Sequence, residues 1–302
     1  MTRRVIGIGG QKCASSWLHA IAGSHPQIAV SEPKEVDFFS YYFDRGYRWY
    51  EGHFPAAPGR MALFESSPSY LIDPRAAERA ARFDPQMKIL ALLRDPIARA
   101  FSNHMHEIVK GHIAPCTFEE GLRNNPCYLD QGLYARHLRP WFDAFPAASI
   151  KVLFAEEIGA DPAGTAVEVF DFIGVDPGFR SAILSERRNE SDRPRHALLR
   201  KSLRGGGDWL RRQGMEPALA RIKSQKLVAR LLAANSISIK SEIPPMRPET
   251  RDMLIEHFAA DVAALADLLQ VTPPWEAWKT TVVARDRPKP EASRPGKESA
   301  DV

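Results

Sequence analysis

Cysteine is scarce in this chain, with Cys13, Cys116 and Cys127 the only three in 302 residues. They are too few and too scattered for a disulfide framework or a zinc site, so a reducing compartment is the default expectation. Long apolar runs are missing as well. No stretch approaches the ~20 consecutive apolar residues of a membrane-spanning helix. Arg3 and Arg4 precede only a short apolar run, Val5-Ile6-Gly7-Ile8-Gly9, which is too brief for a signal peptide and reads as a strand. A cytoplasmic location is the expectation. Internal repeats are absent. Neither common phosphate loop is complete: G-x-x-x-x-G-K-[ST] fails because Lys12 stands before Ser15 and Ser16, and G-x-G-x-x-G fails because Lys12 occupies the third glycine position.

What is present points to a globular, anion-binding protein. The 44% hydrophobic and 26% charged content is that of an ordinary folded core and surface. The net charge of +4 hides an asymmetry, because residues 187–240 hold 14 Lys and Arg against 4 Asp and Glu. The remainder of the chain is therefore acidic. A basic field of that size favours an anionic partner, whether nucleotide, acidic glycan, membrane surface or nucleic acid.

Short apolar segments alternate with helical patterns. Strands are expected at Val5–Gly9, Ile28–Val30, Ala62–Glu65, Lys88–Leu93 and Ile150–Phe154. Helices are expected at about Ser15–Ala22, Pro74–Phe83, Pro96–Lys110, Pro162–Ile173 and Pro248–Leu269. This alternation predicts an α/β fold with a central parallel sheet flanked by helices, and a site beyond the carboxyl ends of its strands. One domain is expected over residues 1–283, with a basic helical insertion at about 197–245. Residues 284–302, charged and Pro-rich, are expected to be a disordered tail.

The strongest local signal is Gly9-Gly10-Gln11-Lys12-Cys13-Ala14-Ser15-Ser16-Trp17, between the first strand and the first helix. Unpaired amides and the positive end of a helix dipole meet there, which suits a phosphate.

Lys12-Cys13-Ala14-Ser15-Ser16-Trp17 resembles the 5′-phosphosulfate loop of sulfotransferases that use 3′-phosphoadenosine 5′-phosphosulfate (PAPS). The departure is Ala14, where a glycine is usual. Further blocks follow in order and are similar to the heparan-sulfate-type and related bacterial branch. They are His25-Pro26-Gln27-Ile28, Lys34-Glu35-Val36-Asp37-Phe38-Phe39, Gly46-Tyr47-Arg48-Trp49-Tyr50, Glu65-Ser66-Ser67-Pro68-Ser69-Tyr70, Arg94-Asp95-Pro96 through Ser102, and Gly132-Leu133-Tyr134. The resemblance holds from about residue 5 to 175 and implies a P-loop-like fold.

It also implies roles. PAPS would be the co-substrate and 3′,5′-ADP the product, with no metal. Gln11, Lys12, Cys13, Ala14, Ser15, Ser16 and Trp17 would hold the 5′ end, Lys12 neutralising the departing phosphate. Arg94 and Ser102 would take the 3′-phosphate, and Arg193 and Arg195 would lie near the nucleotide. Glu35 would be the general base. Arg99 is open between fixing the loop and a surface ion pair. His104 and His106, i and i+2 on a helix, read as ordinary residues. Phe38, Phe39, Trp49 and Tyr50 are open between an acceptor cleft and the core. The branch often has His where Asp37 stands, and some of its enzymes have Lys where Ser66 stands, so the same glycan substrate is not simply assigned. The acceptor is a small molecule, glycan or lipid bearing a hydroxyl or amine, with no nucleic-acid partner implied. Two rival readings are a P-loop nucleotide kinase or phosphotransferase, and a non-catalytic relative that binds nucleotide or membrane. Peripheral membrane contact would come from an amphipathic helix at about 217–234 in the basic segment.

Overall fold

The computed structural model describes residues 2–55, 59–185, 192–194, 236–238 and 243–279. Five parallel strands form the centre: β1 (Arg3–Gly9), β2 (Ile28–Val30), β3 (Ala62–Ser66), β4 (Lys88–Leu93) and β5 (Ile150–Phe154), in the order β2-β3-β1-β4-β5. β1 is central, with Val5 opposite Phe64 on one side and Lys88 on the other. The chain builds one half of the sheet and then crosses past β1 to build the second, so β1's carboxyl end is the crevice where such sheets bind ligands.

The strands read as buried apolar runs because both faces are covered. Period-two alternation divides their side chains. Val5, Phe64, Leu90 and Leu92 pack with α1 (Ser15–Ser24) and the late helix Pro162–Ile173. Ile6, Ile8, Ile89, Ala91 and Leu93 face the larger aromatic core. That second face is covered by a longer series. After α1 come α2 (Tyr47–Glu51), α3 (Ser69–Ile72), α4 (Ala76–Phe83), α5 (Pro96–Lys110), α6 (Phe118–Asn124), α7 (Cys127–Asp130) and α8 (Tyr134–Ala144). α9 (Ala155–Ala160) and α10 (Pro162–Ile173) return to the first face, and α11 (Pro248–Leu269) packs on the second.

The sequence pattern located the sheet strands and five long helices to within a few residues, but not the short helices. The expected helix from Pro74 begins at Ala76, because Asp73 caps the preceding turn by accepting from the Arg75 amide at 2.9 Å. α8 lacks a capping side chain of its own. Asp261 of α11 supplies one, accepting the amides of Ala135 and Arg136 at 2.9 and 3.1 Å.

The expectation of a helical insertion at about 197–245 needs one correction. Ser236–Ser238 is a strand (β7), antiparallel to Asp192–Pro194 (β6), with Arg193 opposite Ile237. The β-branched Ile237 between serines suits an extended chain better than a helix. Residues 197–235 and 284–302, and with them the amphipathic stretch and the tail, lie outside the described residues.

Candidate functional site

The first helix begins in a way that leaves its amides for a ligand. β1 ends at Gly9, whose φ of 146° and close approach to Leu92 O, 2.3 Å from where a Cβ would sit, admit no side chain. The loop then turns through left-handed conformations at Lys12 and Ala14, both with φ of 71°. Ala14 is the N-cap of α1 and no side chain caps the helix. The first intrahelical bond is Trp17 N–H to Ala14 O at 3.0 Å, so the amides of Ser15 and Ser16 precede the ladder. The departure from glycine at position 14 therefore falls on a left-handed residue, where a Cβ costs about 1–2 kcal/mol.

Cys13 turns its thiol inward, fully buried with Sγ 3.8 Å from the Tyr134 hydroxyl. Burial pushes the thiol up to about 11, against the lowering influence of Arg99, so it is neutral and only its backbone faces the loop. Gln11 and Ser16 are exposed, while Lys12, Ser15 and Trp17 are partly buried.

Arg94 and Lys34 bring cations to this helix start from two other parts of the chain. The Arg94 guanidinium reaches across 82 residues of sequence to donate to Lys12 O at 3.3 Å. Its own carbonyl accepts from the Tyr134 hydroxyl at 2.8 Å, so one tyrosine braces both loops. The next helix, α5, differs from α1 because Asp95 caps it by accepting from the Ala98 amide at 2.8 Å. Arg94, rather than those amides, is what this loop offers an anion. Ser102 lies in α5 one turn before His106, and His106 Nδ1 is 3.4 Å from Lys12 Nζ. That i, i+4 spacing puts Ser102 on the helix face turned to the loop.

Lys34 completes the arrangement. Its ammonium donates to Ser15 Oγ and Ser16 Oγ at 3.2 Å each, and to Glu35 Oε1 at 3.0 Å. Glu35 is 46% exposed and is thereby tethered to the helix start. Asp37 follows in a left-handed turn, φ 53°, with its carboxyl bonded by Ser69. Burial raises the Asp37 pKa; the Ser69 bond opposes this and the Glu35 charge adds to it.

Several residues that the sequence left open, and others in the quoted blocks, have structural parts. Arg99 is 0% exposed and fixes the loop from below: Gln131 Oε1 accepts from it at 3.2 Å, as does Tyr128 O, and its Cδ lies under Gly10. A surface ion pair is thereby excluded. Phe38, Phe39 and Tyr50 are core residues, with Trp49 packed against them. Ser66 is buried against Gly7 and does not face the crevice. His25 is structural, with Nε2 3.0 Å from Asp176 O and Nδ1 accepting the Gln27 amide at 3.1 Å. Arg193 lies in β6, and Arg195 falls outside the described residues.

Lys34 and His106 were missed as site residues. Lys34 sits inside the quoted block beside Glu35, and His106 repeats the helical spacing of Ser102, so both signals were present. Among the described residues no three His, Cys, Asp or Glu side chains are grouped to hold a metal. No helix there is long and apolar enough to cross a membrane.

Comparison with known proteins agrees with this geometry. A family model described as "Sulfotransferase domain" matches residues 2–218. Human bifunctional heparan sulfate N-deacetylase/N-sulfotransferase 3 is 28% identical over 297 residues, covering 89% of this chain and 30% of that protein. Mouse heparan sulfate glucosamine 3-O-sulfotransferase 6 is 29% identical over 182 residues, covering 57% of this chain and 51% of that protein. The chain thus spans about half or less of these curated relatives. The crystal structure of a sulfotransferase from Alicyclobacillus acidocaldarius superposes with a TM-score of 0.63 at 24% identity, over 90% of this chain and 97% of that one. That likeness shows a shared fold.

Proposed function

The chain belongs to the sulfotransferase family, and from that membership we propose that it moves a sulfuryl group from PAPS onto a hydroxyl or amine acceptor. The observation that carries the proposal is the Lys34 bridge, which tethers the Glu35 carboxyl to the same helix start that Lys12 and Arg94 surround.

The residues fit such a donor. An uncapped helix start, flanked by Lys12, Lys34 and Arg94, suits a multiply charged anion. PAPS supplies its own leaving group, so that the sulfur–oxygen bond to the 5′-phosphate breaks as sulfur bonds the acceptor. Lys12 and the amides of Ser15 and Ser16 take up the charge that develops on the departing phosphate. Arg94, with Ser102 on the facing side of α5, binds the 3′-phosphate. Glu35 accepts the acceptor's proton, with Lys34 as its counter-cation.

The acceptor rim carries Glu35 and Asp37, with Asp37 where the glycan-modifying branch often has a cation. Two neighbouring carboxylates disfavour a polyanionic acceptor at this point. A neutral hydroxyl or an amine, on a small molecule, a glycan or a lipid, is the class we propose.

Calorimetric titration with 3′,5′-ADP, 5′-AMP and ATP tests the donor. Binding of 3′,5′-ADP should exceed that of 5′-AMP by at least about tenfold, and Arg94→Ala should remove that advantage. Equal affinity for the two monoadenosine ligands in the unaltered protein would refute the donor assignment, and magnesium-dependent ATP turnover would replace it with a kinase.

A further inference from the structure

Glu65, the next-to-last residue of β3, is a carboxyl with 0% exposure. None of the Lys or Arg ion pairs among the described residues includes it. A buried unpaired carboxylate is costly. Burial pushes this group up to about 8, opposed by the hydroxyls of Tyr70 and Ser67, so near neutral pH it is an uncharged acid.

Its neighbours explain why a polar group stands there. Ser67 Oγ donates to Glu65 Oε2 at 2.9 Å and accepts the Asp37 amide at 2.9 Å. The Tyr70 hydroxyl accepts the neighbouring Phe38 amide at 2.9 Å. A hydroxyl has one hydrogen and two lone pairs. With the Ser67 hydrogen turned toward Glu65 Oε2, its lone pairs turn toward the Asp37 amide. That amide belongs to the turn at Asp37, φ 53°, two residues beyond Glu35. The Glu35 side chain itself is half exposed and, among the described residues, is hydrogen-bonded by Lys34, so the backbone of this turn sets where its carboxyl can reach.

We propose that Glu65 is a positioning residue for Glu35: it fixes the direction of the Ser67 hydroxyl, which clamps the turn that carries the base. The proposal rests on the reading of Glu35 as proton acceptor, and it predicts an effect that is read without any acceptor.

Amide hydrogen exchange at Asp37 and Phe38, measured at neutral pH on the full chain, tests it with Glu65→Leu and Glu65→Gln. Leu removes the acceptor oxygen, and the Asp37 amide should exchange about tenfold faster, the order expected for losing an oriented hydrogen bond, while the Phe38 amide, held by Tyr70, is the local control. Gln keeps an acceptor oxygen beside a donor, as the neutral acid does, and should retain the native protection. A role in core stability alone would instead change protection throughout the sheet and follow the melting temperature. Should Glu65→Leu not fold, Ser67→Ala should release the Asp37 amide and leave the Phe38 amide protected. Native protection at the Asp37 amide in Glu65→Leu, or in Ser67→Ala, overturns the clamp. So does a Gln variant as loose as Leu. Titration with 3′,5′-ADP separates the two readings: an unaltered protein that fails to bind it defeats the transfer reading, whatever the exchange rates show.

Discussion

The buried acid makes a pH prediction whose size follows from its surroundings. An unfolded chain titrates Glu65 near 4.5, whereas burial moves the folded group to about 8. Between those values the folded state holds the proton and the unfolded state releases it. Stability from this group is therefore complete below about pH 4.5 and is lost as pH rises through about 8. The slope inside the window is about 1.4 kcal/mol per pH unit. Glu65→Gln cannot titrate and keeps the shape, so the difference between the two proteins cancels most other groups. From about pH 5 to pH 8 the unaltered protein should lose on the order of 3 kcal/mol relative to the variant. Asp37, also raised by burial, acts in the same direction in both proteins. Urea unfolding at several pH values measures the effect as a diverging midpoint at constant slope. Midpoints that run parallel across the range would refute the placement of an uncharged acid at this position.

Three other outcomes follow from the site. Ala14→Gly should stabilise the protein by about 0.5–1 kcal/mol, because relief of the left-handed Cβ outweighs the added freedom of glycine in the unfolded chain; a urea midpoint that falls would contradict the loop geometry. Lys34→Met should weaken 3′,5′-ADP binding about tenfold through loss of a cation at Ser15 and Ser16, read by calorimetry. Iodoacetamide at mildly alkaline pH should modify exposed Cys127 and spare Cys13, which is buried and whose pKa is about 11; mass spectrometry of the labelled peptides distinguishes the two.

The parts of the fold legible in the sequence were those with local causes. Lys88–Leu93 reads as a buried strand because every residue after the lysine is apolar, and α5 starts at Pro96 because proline fits the first helical turn. The glycine exit at Gly9 and the first-turn serines marked the anion loop for the same reason. Ser236–Ser238 falls within the insertion expected to be mostly helical, and its partner strand Asp192–Pro194 makes it extended. The sequence leaves Arg99 open between fixing the loop and a surface ion pair. An arginine on a helix after a loop is ordinarily a surface residue, and nothing local says that Gln131 and Tyr128 O will meet it in the core.

By itself the order of residues determined the alternation of strands and helices, the loop at Lys12 and the identity of the groups able to bind phosphate, since these depend on neighbours a few positions apart. Only the tertiary structure decided that Arg94 meets Lys12, that Lys34 ties Glu35 to Ser15 and Ser16, and that Glu65 is an uncharged acid beneath them. Charge state and reach depend on burial and on partners distant in sequence, and both arise when β1, β3 and β4 bring their carboxyl ends together.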